Sequence, residues 1–421
     1  MEDLSKKSLM FVDNGLFTEM ASRLSRKGFG KVYYHCSQGG PFPSMKRAFL
    51  GHGFEGVELV ESIWDIPMED VDCYAFPDIG WGATQEHLVS LGARVWGARR
   101  GDELENERVA MKALLKKLGL PVGPFEVIKG MEALRKFLGA NPDQFVKLSK
   151  YRKDWESLGV NDYEELKPKL DELANEMGPF QDIAEFVVEA ALPDCVELGE
   201  DMFTIDGAYP AMIDAGVEIK DMGYGARFVR RDSLPEPLTR VSTLLSQIFK
   251  SYQYRGFFSS EVRIGKDHKP YFIDACCRCG SPPSELYQEH FLNLPQIIWE
   301  GAGGKVIDPE VKKVFGAQII LHSTWTDTHF QPVAFPEDLR EHIKLVNPVK
   351  IEGKYYVVPQ CEGMETIGSA IGFGNTMDEA IEEATEVSKS VRGYGIDVPT
   401  DALSKMQEQL DKAEEMGLKL F

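Results

Sequence analysis

Short apolar runs alternate with segments of helical spacing along the first hundred residues. Residues 8–12 (SLMFV) read as a buried strand, followed by the turn residues Asp13, Asn14 and Gly15. The spacing then predicts a helix over roughly 16–27, stopped by Gly28, and a second strand over 31–35 (KVYYH). Further strand-like runs fall at 57–60, 72–76 and 93–97. Strands separated by helical spacers predict a parallel sheet covered by helices. Gly39-Gly40-Pro41 and Gly80-Trp81-Gly82 follow strands, where such sheets carry ligand loops. Neither matches the dinucleotide fingerprint, so no nicotinamide site is expected.

The strongest helical signal runs over 102–118, with Leu104, Met111, Leu114, Leu115 and Leu118 on one face and Gly119 and Pro121 as the stop. A small α/β unit is expected next: strand 125–128, helix 131–138, strand 144–148 (QFVKL), a loop, and a helix over roughly 162–177. Several strands and a helix near 238–251 fill 183–264. Residues 257–283 (FFSSEVRIGKDHKPYFIDACCRCGSPP) read as two strands around a turn at Gly265, Asp267 and Lys269-Pro270. One strand carries Glu261 and the other Asp274. Carboxylates on paired strands lie close together and repel unless a cation separates them, and a hard oxygen pair suits Mg²⁺. Arg278, four residues on, would suit a phosphoryl group beside that ion. Taken alone, the same residues are equally compatible with a solvated surface hairpin. After about residue 330, Thr376 and Glu379 form a capping box, with Ala380, Ile381, Ala384, Val387 and Val391 facing inward. A last helix is expected over roughly 400–416.

With 421 residues, the chain is too long for one simple core. Its 43% hydrophobic and 27% charged residues are those of an ordinary globular protein. The net charge of -20 argues against binding a nucleic-acid duplex, though not against a local basic pocket. No apolar run predicts a membrane span, the first residues do not read as a signal peptide, and seven scattered cysteines fit a reducing compartment. A cytoplasmic location is therefore expected.

In this order the features resemble the ATP-grasp ligases, closest to the glycinamide-ribonucleotide synthetase and biotin carboxylase branch, from about residue 72 to 395. VWGARRGDELENERVAMKALLKKLGLPVGPF is similar to the approach to the ATP domain, with Arg108 where the family has a nucleotide-contacting lysine. QFVKL resembles the strand that presents a lysine to the ATP phosphates, which implicates Lys147. EFVVEAALPDCVELGEDMFTIDG resembles the adenine hinge. The resemblance implies that Glu189 opens it, that Ala190, Ala191 and Leu192 offer backbone groups to adenine, and that Glu197 faces the ribose. Glu261, Asp274 and Arg278 match the E…E-x-N-x-R metal strands, with Cys276 in place of asparagine; a neutral thiol is a poor Mg²⁺ ligand. In place of a glycine-rich phosphate loop stands SKYRKDWESLG, whose Lys150, Arg152 and Lys153 would meet phosphate charge in a lid over 149–160.

The implied fold is α/β: an N-terminal parallel-sheet domain (1–100), a linker helix and lid subdomain (101–195), a core with the metal and substrate site (196–330) and a small C-terminal α+β domain (331–421). The implied activity is ATP-dependent carboxylate–amine ligation through an acyl phosphate, with ATP and Mg²⁺, or Mn²⁺ in its place. The partners would be a small acid and a small amine, and related enzymes often form homodimers. Arg278 would steady the transferring phosphoryl group, Arg263 shares the face of Glu261 and would contact a phosphate, and Lys220 belongs to 216–231 (GVEIKDMGYGARFVRR), the expected substrate wall. Asp78 is a candidate for holding an amine or a ribose. Two alternatives keep the fold: a nucleotide-binding protein without catalysis, prompted by Cys276 and the glycine-poor loop, and an ATP-dependent carboxylase, disfavoured by the lack of a biotin-attachment Met-Lys-Met. Cys276 and Cys279 have the spacing of half a zinc knuckle, but no second ligand pair accompanies them.

Overall fold

Residues 2–36, 49–149, 158–160, 162–192, 194–359, 366–399 and 402–419 are described by a computed structural model. The chain divides into two units.

The first unit comprises residues 1–102, 197–261 and 275–421. It begins with β1 (Ser8–Asp13), α1 (Thr18–Lys27), β2 (Lys31–Cys36), β3 (Val57–Leu59), β4 (Cys73–Ala75), α2 (Gly82–Ser90) and β5 (Val95–Trp96). The five strands form one parallel sheet in the order β3-β2-β1-β4-β5. All six residues of β1 are buried. Such two-sided burial is what an unbroken apolar run at the centre of a parallel sheet provides. Leu9 and Phe11 point into one cluster, with Leu24 of α1 and Trp299, while Met10 and Val12 pack on the other face with Leu88 of α2.

The second unit, residues 103–196 and 262–274, carries α3 (Asp102–Asn106), α4 (Arg108–Lys117), β6 (Phe125–Lys129), α5 (Met131–Leu138), β7 (Gln144–Leu148), β8 (Leu158–Val160), α6 (Tyr163–Met177) and β9 (Glu185–Ala190). Its sheet runs β6-β9-β7-β8, all antiparallel. Met131, Leu134 and Leu138 recur at helical spacing and pack with Leu166, Leu170 and Leu173 of α6 above Val146 and Val188. Asp162 starts α6 by accepting from the Glu164 N–H. The helix expected over 102–118 is interrupted at Glu107, whose backbone is non-helical and caps α4, so it forms two segments.

The remaining elements are β10 (Val196–Ile205), β11 (Met212–Ile219), β12 (Gly223–Arg230), α7 (Glu236–Ser251), β13 (Arg255–Ile264), β14 (Pro270–Cys276), α8 (Pro283–His290), α9 (Leu294–Ala302), β15 (Phe315–His322), β16 (Gln331–Val333), β17 (Ile343–Leu345), β18 (Pro348–Ile351), β19 (Lys354–Val357), β20 (Thr366–Gly374), α10 (Met377–Ser390) and α11 (Ala402–Glu415). Eight strands form a sheet in the order β14-β13-β10-β11-β12-β15-β20-β17. Residues 216–231 are not a glycine-rich loop: β11 and β12 pair as a hairpin turning at Asp221, whose φ is +60°. Its glycines serve close packing, since a Cβ at Gly216 would lie 2.3 Å from the Tyr224 hydroxyl. The box before α10 forms with one change of partner. Thr376 accepts from the Glu379 N–H, and the Glu379 carboxylate accepts from Asn375. Among the described residues no helix is long and apolar enough to cross a membrane.

Candidate functional site

In the second unit, charge gathers around Glu189. On β9 it stands directly opposite Phe125 of β6 on one side and Phe145 of β7 on the other. Lys147, two residues beyond Phe145 on the same face, is therefore its diagonal neighbour. The Lys147 ammonium lies 3.1 Å from Glu189 Oε2 and is 4% exposed. Lys112 of α4 pairs with the other carboxylate oxygen, and its ammonium sits 5.2 Å from the centre of the Phe125 ring. The Arg263 guanidinium lies 5.3 Å from the centre of the Phe145 ring, and Arg108 donates to the Leu148 carbonyl at 2.7 Å. Four basic residues are thus assembled with one acid on a half-buried surface. The arrangement suits a multiply charged anion, because buried cations keep their attraction where solvent screens least.

Glu189 accordingly acts as a mount for two lysines. The N–H groups of Ala190 and Ala191 are donated inside the unit, to the carbonyls of Pro124 and Asp143 at 3.0 and 2.8 Å. Leu192 packs against Gly123. Lys150, Arg152 and Lys153 lie outside the described residues.

In the first unit, β13, β10 and β11 are neighbours, and Glu261, Glu197 and Glu218 come from one of them each. Gly199 pairs with Gly216, so the same register two residues outward sets Glu197 against Glu218. Burial pushes the Glu218 carboxyl well above the usual range, and the charges of Glu261, Glu197, Asp201 and Asp221 push it further. Hard oxygens held against their own repulsion fit Mg²⁺, which takes one or two carboxylates and completes its shell with water and phosphate. Among the described residues no three potential ligands converge closely enough to hold an ion alone. The backbone of Asp274 lies in β14; its side chain is outside the described residues.

Arg278 is mounted from the parallel sheet. Its Nε is 3.6 Å from Asp78 Oδ1, and its Nη1 donates to the Cys279 carbonyl at 3.2 Å. Asp78, just past β4, accepts from Asn14 Nδ2 at 3.0 Å and from the Ile79 N–H at 2.8 Å. The Cys279 N–H donates to the Pro77 carbonyl at 2.7 Å and so ties the two loops together. Cys276, Cys277 and Cys279 are buried, and burial pushes the Cys279 thiol well up. Cys276 Sγ donates to the Arg278 carbonyl at 3.8 Å.

Lys220 is exposed at the β11–β12 turn. At the other end of that hairpin, Arg230 pairs with Asp232, and Arg231 pairs with buried Glu200 while donating to Ser242. Lys112, Glu218 and Asn14 escaped the sequence reading. Lys112 carries a weak signal, because it interrupts the buried stripe of α4 between Met111 and Leu115. Glu218 and Asn14 carry none apart from the partners the fold brings to them.

No protein-family model matches the chain, and no curated protein matches it. Solved structures do. Phosphoribosylamine–glycine ligase of Thermotoga maritima superposes with a TM-score of 0.67 at 19% identity, over 93% of this chain and 98% of that one. The biotin carboxylase domain of Hydrogenobacter thermophilus 2-oxoglutarate carboxylase, solved with MgADP, ADP and bicarbonate, gives 0.66 at 12% identity, over 97% and 98%. An L-amino acid ligase of Bacillus licheniformis gives 0.59 at 14% identity, over 92% and 98%. The strand order, the four-stranded antiparallel unit and these superpositions agree that the chain has the ATP-grasp fold.

Proposed function

We propose that the chain is an ATP-dependent carboxylate–amine ligase, joining a small acid to a small amine through an acyl phosphate and releasing ADP and phosphate. The observation that carries this reading is the mounting of Lys147 and Lys112 on the single carboxylate of Glu189, with Arg108 and Arg263 beside it. Triphosphate oxygens entering there meet ammonium groups already desolvated and fixed, so little reorganisation is needed as charge shifts during phosphoryl transfer. Within the first unit, Glu261 and Glu218 would hold Mg²⁺, which when bound would draw charge from phosphate oxygens. Arg278, held by Asp78, presents a planar donor set to the transferred phosphoryl group and then to the acyl phosphate. The amine attacks the acyl carbon, the bond to phosphate oxygen breaks, and the amine proton leaves with solvent or phosphate.

ADP release measured across a panel of carboxylates and amines with MgATP tests the reading. Release that needs one acid and one amine together supports it, and Lys147→Ala should abolish that release. Release with bicarbonate alone would favour a carboxylase. A second reading, nucleotide binding without catalysis, draws on the buried Cys276 thiol where a metal-binding asparagine is expected. It predicts ADP binding with no acid-dependent turnover.

A further inference from the structure

The carboxyl ends of β1 and β4 are the place where the five-stranded sheet should take a ligand. From β1 the chain proceeds outward through β2 and β3, then returns to the other side for β4 and β5, so the switch point lies between β1 and β4. Turns there lead into helices whose first N–H groups, with about half a positive charge, ordinarily receive phosphate. In this chain both turns are already filled by its own carboxylates. After β1, Asp13 accepts from the Asn14 N–H at 2.6 Å and from the Phe17 N–H, which caps α1, at 2.9 Å. Tyr34 donates to the same carboxylate at 2.8 Å. After β4, one oxygen of Asp102 accepts from both the Gly80 and Gly82 N–H groups at 2.8 Å, and Gly82 is the first residue of α2. Asp78 takes the Ile79 N–H and joins the two turns through Asn14 across the switch point. These three aspartates are 0%, 7% and 8% exposed. Gly82 has little room in front of it: a Cβ would lie 2.6 Å from the Arg99 carbonyl and 3.1 Å from the Asp102 carboxylate.

A phosphate entering this crevice would therefore find the turn N–H groups of Asn14, Phe17, Ile79, Gly80 and Gly82 taken and three carboxylates nearby, one of them also held by Arg278. We propose that the co-substrate received at this edge carries no phosphate, and that it is a small unphosphorylated amine or amino acid. Asp13 and Asp102 are then specificity-determining residues that act by occupying the anion positions. The amine half of this inference rests on the ligase reading; the exclusion of phosphate does not.

The test has two arms. In the first, ribose 5-phosphate is titrated calorimetrically into the full chain saturated with MgADP. No binding is expected at millimolar probe, whereas Asp102→Ala, which frees two N–H groups, should bind it at least about tenfold more tightly, the equivalent of about 1.4 kcal/mol. Asp13→Ala, which frees the Asn14 and Phe17 N–H groups, serves the same comparison if the Asp102 variant does not fold. Binding by the unaltered chain, or no gain in a folded variant, overturns the proposal. In the second arm, ADP release is compared between phosphorylated and unphosphorylated amines. Turnover only with unphosphorylated amines supports the inference. Turnover that requires a phosphorylated amine refutes it and leaves the ligase reading standing. Silence with every amine removes the ligase reading and leaves the titration to decide on phosphate.

Discussion

Replacing Glu289 by glutamine removes a carboxylate that pairs with two buried cations at once. Glu289, on α8, accepts from Arg23 Nε of α1 at 2.8 Å and from Lys344 Nζ of β17 at 2.7 Å. The three side chains are 7%, 2% and 1% exposed. Although burial opposes it, the charges of Lys344 and Arg23 bring the Glu289 carboxyl down to about 2 from its ordinary 4.5. That difference of about 2.5 pH units corresponds to roughly 3 kcal/mol of stability. It is an upper figure, because burial holds the Lys344 ammonium below its ordinary pKa and so returns part of the gain. The substitution breaks both buried ion pairs, with the Glu19 charge still acting on Lys344, and costs about 3 kcal/mol, the low end for a broken buried pair. A lowered carboxylate pKa stabilises fully above the unfolded value and is lost as pH falls through the folded one. The deficit of Glu289→Gln should thus be complete near neutrality and shrink below about pH 4.5 towards pH 2. Urea titration at a series of pH values, with hydrogen exchange read in α8 and β17, measures it. Lys344→Met, which removes a cation and keeps most of the volume, should cost less. A loss under about 1 kcal/mol at neutral pH for Glu289→Gln would mean that the buried pairs behave like exposed ones.

Three other outcomes follow from single residues. Burial pushes Glu285 up to about 7 despite hydrogen bonds from Ser281, Gln318 and Ser284. Its contribution is present at low pH and lost as pH rises through about 7, so Glu285→Gln should flatten the fall in melting temperature over that range. Gly216→Ala drives a methyl group into Tyr224, which is anchored on Asp201, and should cost about 1–3 kcal/mol by denaturant titration; an unchanged midpoint would contradict the packing. Asp78→Asn keeps the shape but releases its charge from Arg278. It should lower kcat of the ligase reaction while leaving the KM for ATP nearly unchanged, whereas a purely structural Asp78 would affect both alike.

Much of the second unit was legible because its signals are local. The bounds of α5 and β7 follow from apolar spacing and glycine punctuation, and Lys147 stands out as a lysine inside an apolar strand. The break at Glu107 was not legible, because Leu104 and Met111 keep one helical face across it. Residues 216–231 looked like a loop because they hold three glycines. Gly216 and Gly225 are there because a Cβ would strike Tyr224 and Met406, contacts fixed by tertiary structure. Glu189 matched a hinge motif, yet its role as a mount depends on Lys112, a residue 77 positions earlier that local pattern does not link to it. The same holds for Asp102, which looked like a helix start and turns out to hold the Gly80–Gly82 turn.

Activation of a substrate carboxylate by phosphorylation moves one of its oxygens to the phosphate that is released. With the carboxylate carrying heavy oxygen, one labelled oxygen should appear in each phosphate released during amide formation. Phosphate carrying label from water alone, or none from the acid, would contradict the acyl-phosphate account.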